Sequence, residues 1–154
     1  MKPLPLARSI LFATLLAASC VSCRSAKNAA PAAAEAGATL YSRLGGEAGI
    51  RAVVGQFVAN LAADTRINHY FADTDLDPLK ASFVNLIGQS TGGPQKYAGR
   101  DMKTTHAGMG ITTADFSALI EDLTQACDQF KVGEKEKGEL LAILGPFQKD
   151  IVEK

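Results

Sequence analysis

The chain contains no tryptophan, two histidines and three cysteines, and neither sign of charge is in excess. Each scarcity excludes something. Cysteines at 20, 23 and 127 cannot build the multi-bridge framework of a small secreted domain, and with two histidines they give no Cys/His spacing suited to zinc. Sixteen basic residues balance sixteen acidic ones and no dense basic stripe occurs, so no nucleic-acid partner is expected. A phosphate-binding loop, a dinucleotide fingerprint and His-Glu-x-x-His are all missing, which removes the commonest nucleotide and metalloprotease chemistries. No segment alternates apolar and polar residues as a half-buried strand would.

What is present begins with an address. Lys2 and Arg8 precede an apolar run from Ile10 to Ala18, too short for a membrane-spanning helix and in the basic-then-apolar order of a secretory signal. The run ends in Leu16-Ala17-Ala18-Ser19-Cys20, which resembles the lipobox of bacterial lipoproteins, where the cysteine is lipidated. Several acyl chains on Cys20 would anchor the protein stably, at roughly 0.8 kcal/mol per buried methylene. Residues 1–19 are therefore expected to be a signal peptide and 20–38 an Ala-rich tether broken by Pro31 and Gly37. The product is expected to be exported, either periplasmic or a membrane-anchored lipoprotein. Residues 39–154 remain as one domain, with 12 basic and 15 acidic residues.

Helical periodicity dominates that domain. Ile50, Val53, Val54, Phe57, Val58 and Leu61 fall on one face of a helix, and Gly45-Gly46 before it lets a short helix with Leu40, Tyr41 and Leu44 fold back. A short helical turn is expected from Thr65 to Phe71. Asp77-Pro78 reads as a cap and first helical residue, with Leu79, Phe83, Leu86 and Ile87 on one face, ending near Gly92-Gly93-Pro94. Residues 100–107 allow only about two turns before Gly108 and Gly110. Thr112 to Asp115 supply caps for a helix carrying Phe116, Leu119, Ile120, Leu123, Cys127 and Phe130. After Gly133 a last helix places Leu140, Leu141, Leu144, Phe147 and Ile151 on one side, bent by Pro146. The class is all-α, with about six helices, two of them very short.

Two histidines are the remaining candidates for chemistry. His106 sits on a short helix after a glycine-rich break and, in a compact arrangement, faces helices that offer Phe57, Phe71, Leu79, Phe83 and Leu86. One imidazole projecting into an apolar slot is what iron in a porphyrin requires, although the same aromatic residues are equally consistent with ordinary core. Periodicity alone leaves both readings open. Covalent c-type haem attachment is excluded, because Cys-x-x-Cys-His does not occur.

Several blocks, taken together, go further: Leu40-Tyr41-Ser42-Arg43-Leu44-Gly45-Gly46, Asn68-His69-Tyr70-Phe71-Ala72-Asp73-Thr74-Asp75, Gly92-Gly93-Pro94, Tyr97-Ala98-Gly99-Arg100-Asp101-Met102-Lys103 and His106-Ala107-Gly108-Met109-Gly110-Ile111. In order and spacing they resemble the group I truncated haemoglobins over roughly residues 39–152. The resemblance implies a two-over-two helical sandwich around haem b (iron protoporphyrin IX), with His106 binding iron. It puts Phe71 against the porphyrin, and Phe57, Thr74, Leu79, Leu86, Ile87, Tyr97 and Met102 around it. His69 falls on a polar, variable position and is expected at the surface.

One departure from that family is informative. Many members carry a Tyr and a Gln whose donors reach the bound gas, but Val58 and Phe83 stand at those positions here, with Leu79 beside them. The gas-binding side is then apolar. A charge-assisted hydrogen bond there is worth about 1.5 to 3 kcal/mol, so dioxygen should be held weakly, while carbon monoxide and nitric oxide suffer less. Ser82 stands where some relatives have a second histidine ligand, which excludes bis-histidine ligation by that route. The function implied is reversible binding or transport of dioxygen or another diatomic gas. Nitric oxide dioxygenation, which needs a reductase partner not identified by the sequence, and gas sensing are the alternatives within the family. A haem-free helical lipoprotein module is the rival from another class. Whether Tyr70 or Tyr97 supplies the missing donor stays open at this level.

Overall fold

Seven α-helices and two 3₁₀ turns make up the computed structural model, which describes residues 38–154, and no strand occurs among the described residues. The signal-peptide and lipid-anchor expectations, and all but the last residue of the tether, lie outside the described residues. No described helix is long and apolar enough to cross a membrane.

The apolar repeat starting at Ile50 becomes α2 (Gly46–Ala63), whose six apolar positions are all buried. Burying one such side chain contributes roughly 1.5 to 3 kcal/mol, so this stripe anchors the fold. α1 (Leu40–Arg43) folds back onto α2 so tightly that a Cβ on Gly49 would lie 2.0 Å from the Leu44 carbonyl oxygen. Only glycine fits there. α3 (Leu76–Ser90) and α5 (Thr113–Gln129) both pack on α2, and α6 (Glu134–Leu144) packs on α5. The pairs α2 with α3 and α5 with α6 form the two-over-two arrangement.

Caps set the helix starts. Thr112 and Asp115 form a reciprocal capping box at α5, with Asp115 N–H donating to the Thr112 hydroxyl at 3.2 Å and Thr112 N–H to the Asp115 carboxylate at 2.9 Å. At α3 the cap is Asp75 rather than Asp77: its side chain accepts from Asp77 N–H at 3.1 Å, so the helix starts two residues earlier than expected. Pro78 remains in the first turn, where its missing donor still costs nothing. The Asn68–Phe71 turn is 3₁₀. Pro146 does more than bend the last helix. α6 stops at Leu144, a 3₁₀ turn covers Gly145–Phe147, and α7 (Gln148–Ile151) follows. Phe130, expected on the buried face of α5, is its C-cap and 46% exposed, because the chain leaves the helix there and turns through Lys131 at φ 56°.

Candidate functional site

Between α3 and α5 a loop carries one short helix, α4 (Met102–His106). Five residues cannot hold a helix by themselves in water, so its ends need outside support. Asp101 caps the start, accepting from Thr104 N–H at 2.9 Å, and the Thr105 hydroxyl donates back to the Asp101 carbonyl at 2.8 Å. The Thr104 bonds, backbone first, hold the Asp101 carboxyl below its ordinary range.

His106 closes this helix, and its Nδ1 lies 2.7 Å from the Met102 carbonyl oxygen. A carbonyl can only accept, so Nδ1 carries the hydrogen. In the tautomer this bond selects, Nε2 is the nitrogen left without a hydrogen and so the one able to bind a metal. The ring lines two cavities, about 220 Å³ and about 350 Å³, which share Phe71, Leu79, Thr105, Phe116, Leu119 and Ile151 as common wall. Sites for cofactors typically span roughly 300 to 1,000 Å³ with mostly apolar walls and few polar groups. This pair has that character.

The first cavity is lined by Phe57, Phe71, Leu79, Phe83, Leu86, Ile87, Tyr97 and Met102 from the expected set, and the second adds Thr74. Phe57 and Phe83 meet edge to face, centroids 5.1 Å apart. Val58 is the exception: it is 1% exposed within the core cluster and does not line either cavity. Phe116, Leu119, Ile120 and Leu123 of α5, with Leu144, Phe147 and Ile151 beyond it, complete the walls. Their spacing is visible in the sequence but reads equally as core.

Few hydroxyls on these walls are free to donate. Tyr97 donates to the Arg100 carbonyl and Tyr70 to the Asp115 carboxylate, both at 3.0 Å, so neither is available to the cavity in this arrangement. Burial, then that bond to Asp115, pushes the Tyr70 phenol up. Ser82 also lines the first cavity, from an exposed position on α3. His69 is exposed, its ring centroid 4.0 Å from that of Tyr70 with the planes tilted by 39°.

Among the described residues no three His, Cys, Asp or Glu side chains converge as a metal cage. A metal at His106 would need its other ligands from a cofactor. One imidazole nitrogen, broad apolar walls, and Thr74 and Arg100 on the second cavity fit a flat, largely apolar macrocycle bearing a metal and some polar edge.

Comparison with known proteins leads to the same place. Residues 39–153 match the family described as bacterial-like globin. The group 1 truncated hemoglobin of Tetrahymena pyriformis is 31% identical over 116 residues, covering 75% of this chain and 96% of that protein. The crystal structure of the truncated hemoglobin from that organism, in its Fe(III) form, superposes with a TM-score of 0.73 at 31% identity, over 76% of this chain and 100% of the other. The 2/2 hemoglobin of a Synechococcus species, solved in the cyanomet state with covalently attached heme, gives a TM-score of 0.71 at 28% identity, over 76% and 100%.

Proposed function

From the premise that this chain belongs to the bacterial-like globin family, among the group 1 truncated haemoglobins, we propose that it binds haem b through His106 and takes up small diatomic gases reversibly. When bound, haem would supply the iron at which the gas is held. The chain's own residues do the rest. His106 offers Nε2 because Nδ1 is committed to Met102, and this single arrangement, on the shared wall of two apolar cavities, carries the reading. Phe57, Phe71, Leu86, Ile87 and Met102 give the macrocycle apolar surface and keep water out, while Thr74 and Arg100 suit its polar edge.

The test is the Soret absorbance of the purified chain after hemin is supplied, beside His106→Ala. A strong band in the parent that is lost or altered in the variant is expected; a parent that stays colourless would overturn the reading and favour a haem-free helical module.

Selectivity among gases follows from the α2 and α3 wall. Leu79 and Phe83 offer no hydrogen-bond donor, Val58 is apolar and buried, and the Tyr70, Tyr97 and Thr105 hydroxyls already donate elsewhere. Dioxygen draws more negative charge than carbon monoxide and gains more from a donor, so this wall favours the less polar ligands. Of the hydroxyls lining the first cavity, Ser82 is the one that does not donate elsewhere, and Ser82→Ala measures what it adds.

The lipobox-like run ending at Cys20 supports export and a lipid anchor, which would put gas binding at a membrane surface outside the cytoplasm. Mass spectrometry of the mature N-terminus distinguishes acylated Cys20 from simple cleavage.

A further inference from the structure

His106 closes a helix too short to orient itself, and the chain beyond it turns through Gly108 at φ +81° and Gly110 at φ +68°. The left-handed backbone at these two glycines lets their N–H groups converge on one acceptor. That acceptor is Glu153. Its Oε1 receives Gly108 N–H at 2.7 Å and its Oε2 receives Gly110 N–H at 2.6 Å. Main-chain bonds lace the same segments together, Glu153 N–H to the Ile111 carbonyl at 2.8 Å and Thr113 N–H to the Lys154 carbonyl at 3.3 Å, and α7 packs on α4. Asp101 thus fixes one end of the helix that bears His106, and a carboxylate some forty residues further along the chain fixes the other.

We propose that Glu153 is a positioning residue for His106: by clamping Gly108 and Gly110 it holds the imidazole in the orientation that grips haem iron. This rests on the haem-binding reading above. A carboxylate suits the task because both its oxygens accept, whereas an amide keeps one acceptor and turns a donor toward the second N–H. Groups that orient a ligand from behind typically change metal affinity by roughly tenfold to a hundredfold when removed.

The experiment uses the full chain loaded with hemin. Three quantities are read: the iron–imidazole stretching band of the reduced form by resonance Raman, the rate at which hemin leaves to excess apomyoglobin, and the thermal melt of the hemin-free chain. Glu153→Ala is expected to lose hemin roughly tenfold to a hundredfold faster, with a shifted or broadened band, and Glu153→Gln to fall between it and the parent. Glu136→Gln, which breaks the 3.0 Å ion pair with Arg43 between α1 and α6, serves as the structural control, with a lower melt and an unmoved band. A Glu153→Ala protein with the parent's band and hemin-loss rate, whatever its melt, overturns the proposal. Should that variant not fold, Glu153→Gln decides in the same way. A parent that takes up no hemin removes the haem reading itself, and this inference with it.

Discussion

The two walls of the cavity are built on different physics. One is made of α2, α3 and α5, long helices whose apolar stripes interlock, with Phe57 2% exposed and set edge-on against Phe83. The other is α4, five half-exposed or exposed residues held by polar ties to Asp101 and Glu153. Packing resists deformation in all directions but aims nothing, whereas a hydrogen bond fixes a direction at small cost in area. The packed wall gives the site its shape, and the tied wall gives one nitrogen its aim.

The largest expected effect separates these roles outright. His106→Ala should abolish the iron–imidazole signature while changing the stability of the hemin-free chain by about 1 kcal/mol or less, since a half-exposed ring with one hydrogen bond leaves little behind. Phe57→Ala should do the reverse to the apoprotein, costing about 3 to 5 kcal/mol as a cavity opens beside Phe83. Denaturant melts and hemin titration of both variants provide the check. If His106→Ala cost as much stability as Phe57→Ala, the division between walls would fail.

Next in size is a change of chemistry on the packed wall. Leu79 lines both cavities and is only half-buried, so Leu79→Gln can be accommodated and supplies the missing donor. Dioxygen release, followed by flash photolysis or stopped flow, should slow by roughly ten- to a hundredfold, because a charge-assisted hydrogen bond of about 1.5 to 3 kcal/mol is being added. Carbon monoxide release should change little. Equal changes for both gases would mean that Leu79 acts through access rather than hydrogen bonding.

How far each wall can be read in the sequence follows the same division. α2 and α5 were legible because apolar residues three and four apart announce a buried face wherever they occur, and the capping box at Thr112 and Asp115 is a four-residue pattern. The short-helix setting makes His106, with Phe71 and Leu79 facing it, a candidate from the residues alone; resemblance chooses cofactor slot over core, and the structure brings the three to one cavity. The start of α3 differs from the expectation at Asp77 because Asp75 and Asp77 are both competent caps, and the choice depends on which backbone N–H the fold leaves free. The α5 stripe and Phe147 could not be assigned to core or cavity in advance, because that depends on whether a neighbouring helix closes over them. Glu153 was invisible for a plainer reason: its partners, Gly108 and Gly110, are more than forty residues away in sequence, and nothing local to any of the three encodes the contact.

The smallest expected effect sets two aspartates, one on each wall, against each other. Asp101 is held below the ordinary carboxylate range by the Thr104 bonds, so its contribution is present above the unfolded value of about 3.9 and is lost as pH falls through its lowered folded value. Asp122 on α5 is 4% exposed, its Oδ2 has no hydrogen-bond partner, and burial, then the nearby charge of Asp64, pushes it up. The sign reverses. A buried acid with a raised value carries its cost at neutral pH and sheds it as pH falls through that value toward about 4, because the folded state then binds the proton first. Asp122→Asn should therefore stabilise the chain by up to about 1 kcal/mol near neutral pH, with the gain vanishing in acid. Asp101→Asn keeps a capping oxygen but loses the charge, so it should lower the melt slightly near neutral pH and match the parent once Asp101 is protonated. Melts of the three proteins from about pH 7 down to about pH 3 give two difference curves of opposite sign, each shrinking toward zero as its carboxyl takes up a proton, that of Asp101 at the lower pH. A gain from Asp122→Asn that grew on acidification would show that this carboxylate is stabilised where it lies, and the packed wall would then owe part of its strength to charge as well.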